Sequence, residues 1–165
     1  MLKKILTYQQ LARVVKAHRD LEQTIVLTQG TYDMVHVGHG RYLQDAKKRG
    51  DVLIVGVDSD EKVRQRKGVG RPIVPEEERV EMLTYFSSVD HVVIKPLQAE
   101  KWSLIKLVRP DVLIVTEEAY TPVQLEQLSQ FCGRVEVLSR KALTSTSAKI
   151  RRVQMCLAKE KNHGK

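Results

Sequence analysis

Cysteine is scarce, with only Cys132 and Cys156 in 165 residues. Two thiols cannot build the framework of a disulfide-stapled domain, so a reducing compartment is the expected setting. No apolar run approaches the roughly 20 residues that a membrane helix needs. The opening Met1-Leu2-Lys3-Lys4-Ile5-Leu6 briefly has the look of an export signal, but Tyr8, Gln9, Gln10 and Arg13 interrupt it. The expectation is a soluble, cytoplasmic protein with no membrane partner. Internal repeats, low-complexity tracts and Pro/Gly-rich linkers are also missing. Residues 1–165 therefore read as a single domain, with 1–22 as a helical lead-in and 154–165 as a basic tail.

Common chemical signatures are missing too. No Gly-x4-Gly-Lys-Ser/Thr phosphate loop occurs, and Gly68-Val69-Gly70 lacks the third glycine and the context of a dinucleotide fingerprint. No serine or cysteine with an evident base partner suggests covalent catalysis.

What is present has the balance of a globular domain: 42% hydrophobic and 29% charged residues. The net charge of +8 raises the question of a nucleic-acid partner. Its distribution argues against one. Residues 140–165 hold eight Lys or Arg against one acid, Glu160, and the rest of the chain is close to neutral. That stretch reads as a solvated tail, a site for phosphate anions or a polyanion contact.

Five short runs are rich in β-branched residues: Thr24–Thr28, Val52–Val57, His91–Ile94, Val112–Val115 and Val135–Leu138. They are nearly continuously apolar rather than alternating, as strands covered on both faces are. Between them lie helical patterns. One contains Tyr42, Leu43, Ala46 and Lys47. A second, with Val80, Leu83 and Tyr85, opens at Pro75-Glu76-Glu77-Glu78, a proline and acids suited to a helix start. A third ends at Pro110 and a fourth at Gly133. Residues 7–20 form an N-terminal helix in this reading. The alternation predicts a Rossmann-like α/β fold, a doubly wound parallel five-stranded sheet with helices on both faces.

The chemistry concentrates where the first strand gives way to a helix, in Gly30-Thr31-Tyr32-Asp33-Met34-Val35-His36-Val37-Gly38-His39-Gly40. Ligands of open α/β folds bind at the carboxyl ends of strands, and helix N-termini attract phosphate. Gly30 and Gly38 allow the backbone to approach an anion. His36 and His39, three apart, bring both imidazoles to one side of a helical turn. Imidazoles donate hydrogen bonds to phosphate oxygens and take up charge near neutral pH. That suits stabilisation of charge developing at phosphorus. Asp33, His36 and His39 are also a conceivable zinc set, although no further Cys or His cluster completes it.

This segment resembles the first signature of the cytidylyltransferase-like nucleotidyltransferases, which carry a HIGH-type motif. Val57-Asp58-Ser59-Asp60-Glu61, Arg66-Lys67-Gly68, Arg71-Pro72, Pro75…Glu78-Arg79, Val89-Asp90-His91-Val92-Val93 and Pro110-Asp111-Val112-Leu113 follow. Their order is similar to that of the heptose 1-phosphate adenylyltransferases. Ser145-Thr146-Ser147 looks like the family's Ser-Thr-Thr signature before a final helix. The similarity covers about residues 23 to 153.

The resemblance implies a reaction without a covalent enzyme intermediate. An acceptor phosphate attacks the α-phosphorus of a nucleoside triphosphate, a magnesium complex of ATP in the family's manner, and pyrophosphate leaves. By similarity, His36, His39 and Lys67 are the catalytic residues. Gly30, Thr31, Tyr32, Asp33, Gly38, Arg79, Ser145, Thr146 and Ser147 bind the nucleotide, with Arg79 as a phosphate clamp. Asp58, Arg71 and Tyr120 contact the acceptor. The metal ligands are unassigned, and a homodimer is possible in this family. Arg79 also reads as an exposed helix residue paired with a nearby Glu.

One departure stands out. Heptose enzymes typically carry Lys-Gly-Gly-Asp-Tyr after the fourth strand, whereas here the residues are Thr116-Glu117-Glu118-Ala119-Tyr120. An acidic loop there should disfavour a second phosphate, or favour a cationic or hydroxyl-rich acceptor. Alternatives therefore stay open. They are a CTP-dependent relative acting on glycerol phosphate or another alcohol phosphate, an FAD-synthetase-like enzyme, a nucleotide-binding protein that has lost its acceptor site, and a nucleic-acid binder using the basic tail.

Overall fold

The computed structural model describes residues 2–117, 119–138, 148, 150–153, 155 and 156. Five parallel strands form one sheet in the order β3-β2-β1-β4-β5. They are β1 (Ile25–Gly30), β2 (Val52–Asp58), β3 (His91–Lys95), β4 (Val112–Val115) and β5 (Arg134–Val137). The strand order reverses beside β1, which places a crevice at the carboxyl ends of β1 and β4.

Apolar runs become strands here because both faces are covered. All seven residues of β2 and all four of β4 are buried. On one face Val26, Leu53, Val55, Val92 and Ile114 meet Tyr42, Leu43 and Ala46 of α2 (Val37–Lys47) and Val80 and Leu83 of α4 (Glu76–Thr84). On the other, Ile25, Leu27, Ile54, Val93 and Leu113 meet α1 (Tyr8–Asp20), α5 (Ser103–Val108) and α6 (Pro122–Leu128). The expected doubly wound sheet is therefore present.

Three details differ from the sequence reading. Pro75 is the N-cap of α4 rather than a residue of its first turn. Phe131 lies beyond α6, which ends at Leu128. A helix that the hydrophobic pattern does not reveal, α3 (Asp60–Lys67), follows β2. Its only buried residue is Val63, so it carries almost no periodic signal. Local chemistry defines it instead: Ser59 caps it by accepting from the Lys62 N–H, acids open it and Arg64, Arg66 and Lys67 close it.

Candidate functional site

The loop between β1 and α2 is bent by two residues with left-handed backbone, Tyr32 (φ 53°) and Met34 (φ 51°). Such conformations persist in non-glycine residues only when their surroundings hold them. A Cβ on Gly30 would stand 3.0 Å from the Tyr32 ring, so glycine lets that ring fold back into the interior. The ring is 5% exposed and lies beneath His39, with centroids 5.5 Å apart. Burial pushes the Tyr32 hydroxyl well above its ordinary range, which keeps it neutral.

His36 and His39 cap α2 reciprocally. The Gly38 N–H donates to His36 Nδ1 at 3.1 Å, and the His36 N–H donates to His39 Nδ1 at 3.3 Å. Imidazoles thus do what serine and glutamate do in an ordinary capping box. The rings lie side by side with centroids 4.1 Å apart and an interplanar angle of 31°, and both residues are partly exposed. Because each Nδ1 accepts, the ring proton belongs on Nε2, the atom facing away from the cap. A proton at Nδ1 would break the bond that orients its ring.

Asp33 is 2% exposed and ties this loop to residues 71–74. It accepts from the Ile73 N–H at 3.1 Å, the Val74 N–H at 3.0 Å and Arg71 Nε at 2.8 Å. Arg71 Nη2 adds an ion contact at 2.7 Å. Burial alone would raise the Asp33 carboxyl, but the two backbone donors and Arg71 more than offset it and hold it below the usual carboxylate range. Arg71, expected at the acceptor, is thereby engaged within the loop. Asp33→Asn should cost about 1–3 kcal/mol of stability in urea unfolding at pH 7. The native pKa lies below the unfolded one, so this contribution is complete above about pH 4 and fades as pH falls through the native value. The stability gap between wild type and variant should close in acid; a gap of constant size would show that the charge is irrelevant.

Arg79 corrects the reading of an exposed helix residue. Its side chain is 0% exposed, so it is no surface residue. Its guanidinium donates to the Val74 carbonyl at 3.0 Å, the Thr31 carbonyl, the Asp58 carbonyl at 2.8 Å and Asp60 Oδ1 at 2.7 Å. A fork so fully engaged by protein oxygens fastens the ends of β1 and β2 to α3 and α4. In this arrangement it is a tie beneath the site.

Asp58, at the end of β2, is 2% exposed and accepts from Lys95 Nζ at 3.1 Å and Arg66 Nη2 at 2.8 Å. Arg66 also donates to Thr31 Oγ1 at 2.7 Å, linking this cluster to the first loop. Lys67 is exposed at the end of α3. Partial desolvation, followed by the neighbouring charges of Arg66 and Arg71, lowers its pKa. Ser145, Thr146 and Ser147 lie outside the described residues, as does most of the 154–165 tail. Among the described residues no group of three or more His, Cys, Asp or Glu side chains is arranged to hold a metal.

A second feature opens at the same end of the sheet, on the α1/α5 face. It is a cleft of about 200 Å³ lined by Tyr8, Gln29, Lys62, Lys95, Trp102 and Tyr120, among others. Of the three residues expected at the acceptor, Tyr120 is in this lining. Sequence reasoning missed Gln29 and Lys95, although each is a polar residue ending an otherwise apolar strand. That was the available signal. Tyr8 and Trp102 offered none, because only folding brings them there.

A family model described as cytidylyltransferase-like matches residues 27–162. The bifunctional protein HldE of Geotalea uraniireducens is 39% identical over 158 residues, covering 90% of this chain and 31% of that protein. The HldE of Syntrophotalea carbinolica is 36% identical over 157 residues, covering 91% and 31%. The chain thus spans about a third of the length of these curated relatives. In fold it is similar to the lipopolysaccharide core biosynthesis protein of Thermoplasma volcanium, with a TM-score of 0.65 and 22% identity, covering 73% of this chain and 99% of that one. It is also similar to pantoate–β-alanine ligase of Francisella tularensis, with a TM-score of 0.61 and 17% identity, covering 84% and 67%. Among the described residues no helix is long and apolar enough to cross a membrane.

Proposed function

The chain belongs to the cytidylyltransferase-like family, and from that premise we propose that it is a cytoplasmic nucleotidyltransferase. It transfers the nucleoside monophosphate of ATP to a sugar phosphate such as heptose 1-phosphate and releases pyrophosphate. The preference for ATP and a sugar acceptor rests on the similarity to the HldE proteins.

The observation that carries the reading is the reciprocal cap at the start of α2, which orients two Nε2 donors beside a helix N-terminus. In the proposed reaction an acceptor phosphate oxygen forms a bond to the α-phosphorus while the bond to the β-phosphate bridging oxygen breaks. The electron pair leaves with pyrophosphate. His36 and His39 donate hydrogen bonds to the oxygens on which charge accumulates, and Lys67 approaches the same phosphates from the end of α3. Oriented donors of this kind need no rearrangement as charge develops, so their effect falls on the transition state. Gly30, Thr31, Tyr32, Asp33 and Gly38 give the cradle its shape, and Asp33 and Arg79 hold it from behind. Ser145, Thr146 and Ser147 are assigned to the terminal phosphates by the family signature.

Magnesium accompanies the triphosphate as part of the substrate. Phosphate oxygens and water would make most of its coordination, as is usual for this ion.

Pyrophosphate release with ATP and with CTP, each across a panel of phosphorylated acceptors, tests the reading. ATP with an acceptor that reacts through a sugar 1-phosphate should give faster release than CTP with an alcohol phosphate. A preference for CTP with an alcohol phosphate would move the chain to the other branch of the family. No release with either nucleotide and any acceptor would remove the enzymatic assignment.

A further inference from the structure

The cleft on the α1/α5 face has a lining that its neighbours do not satisfy. Gln29 Nε2 is buried without a hydrogen-bond partner. The Tyr8 hydroxyl is also buried, and although it lies beside Ser103 it makes no well-aligned hydrogen bond. Burial drives the Tyr120 hydroxyl upward, so it too stays protonated and able to donate. Buried donors without acceptors are costly, and a pocket that keeps two is poised for a ligand that supplies oxygens.

The charge count points the same way. Lys95 Nζ is deep in the cleft, with its side chain 15% exposed. Its counter-ion Asp58 is shared with Arg66, and Lys62 acts on the same carboxylate. Among the described residues one buried carboxylate therefore faces three cations. Desolvation lowers the Lys95 pKa and Asp58 only partly restores it. At the mouth, Glu100 and Lys101 offset each other. Gly56 makes room for this arrangement. A Cβ there would meet Leu104 Cδ2 at 2.5 Å and Lys95 Cδ at 2.9 Å, so a larger residue would displace the lysine.

Position places the cleft beside, not upon, the histidine cradle. Gln29 and Gly30 are consecutive in β1 and so face opposite sides of the sheet. The cleft follows Gln29 towards α1 and α5, whereas His36 and His39 belong to α2 on the other face. We propose that this cleft holds the part of the acceptor farthest from its reacting phosphate, and that it selects there a second anionic group, a phosphate or a carboxylate. The inference rests on the nucleotidyltransfer reading and narrows its acceptor class. It differs from the expectation drawn from the acidic loop: Glu117 is exposed and is not part of the lining, Tyr120 is, and Glu118 lies outside the described residues.

The test compares three acceptors with ATP: a sugar 1-phosphate, the bisphosphate of the same sugar, and its uronic acid 1-phosphate. The doubly anionic acceptors should exceed the first in kcat/KM by about tenfold or more, and the better of the two identifies the group as phosphate or carboxylate. Lys95→Met should raise KM for that acceptor about 10–100-fold, as expected for loss of a charged hydrogen bond. The nucleotide KM should stay within about twofold. Gln29→Leu, which leaves the Asp58 ion pair untouched, should raise the same KM and serves if Lys95→Met fails to fold. Equal use of all three acceptors, or an acceptor KM unmoved in the folded variants, overturns the inference while leaving nucleotidyl transfer intact. If nothing turns over, calorimetry with the sugar bisphosphate decides. Binding weakened by Gln29→Leu sustains the anion site without the reaction, and no binding ends it.

Discussion

His39→Ala should slow pyrophosphate release about 100-fold, the usual consequence of removing one donor from a developing oxyanion. The side chain also accepts from the His36 N–H, so the variant loses part of a helix cap as well, worth about 1 kcal/mol. The two effects can be separated. His39→Asn keeps an acceptor near the position of Nδ1 but offers no donor where Nε2 stood. It should recover the melting temperature and not the rate. Single-turnover measurements at saturating nucleotide read the chemical step directly. A loss of only a few-fold in both variants would mean that the paired rings serve the helix and not the phosphates.

Arg79→Met should act on the fold before it acts on the chemistry. Removing the guanidinium leaves the carbonyls of Thr31, Asp58 and Val74 and the carboxylate of Asp60 short of donors. Breaking a buried, charged network of this kind costs about 3–5 kcal/mol. That is a large share of the 5–15 kcal/mol typical of a domain. The melting temperature should drop by on the order of 10 °C. Arg79→Lys should rescue little, since a single ammonium cannot reach four acceptors on separate segments. A phosphate clamp predicts the opposite, a stably folded variant with a raised nucleotide KM. Calorimetric melting beside nucleotide titration decides between them.

The difference between legible and illegible parts follows from the range of the interactions. Strands such as β2 were readable because burial on both faces writes itself as an unbroken apolar run. The cradle was readable because its parts, from Gly30 to His39, are consecutive in the chain. Arg79 was not. The sequence shows an arginine after three acids, and only the packing of α4 against the ends of β1 and β2 reveals that the side chain is enclosed. Helix α3 escaped because caps and end charges, not a hydrophobic stripe, define it. The cleft escaped for a further reason. Tyr8, Gln29, Lys95 and Tyr120 lie on three elements and a loop spread over more than 100 positions, and no short-range pattern joins them.

Tyr8 also has a meaning for how this architecture can vary. It stands on α1, ahead of the residues that the family model matches, yet it supplies one wall of the cleft. On the proposed reading, one wall of the acceptor site thus comes from outside the matched residues, while Gln29, Lys95 and Tyr120 come from within them. Exchanging the first 22 residues between related proteins would then shift which molecule is modified without disturbing the triphosphate, a modular route by which one catalytic core could be redirected.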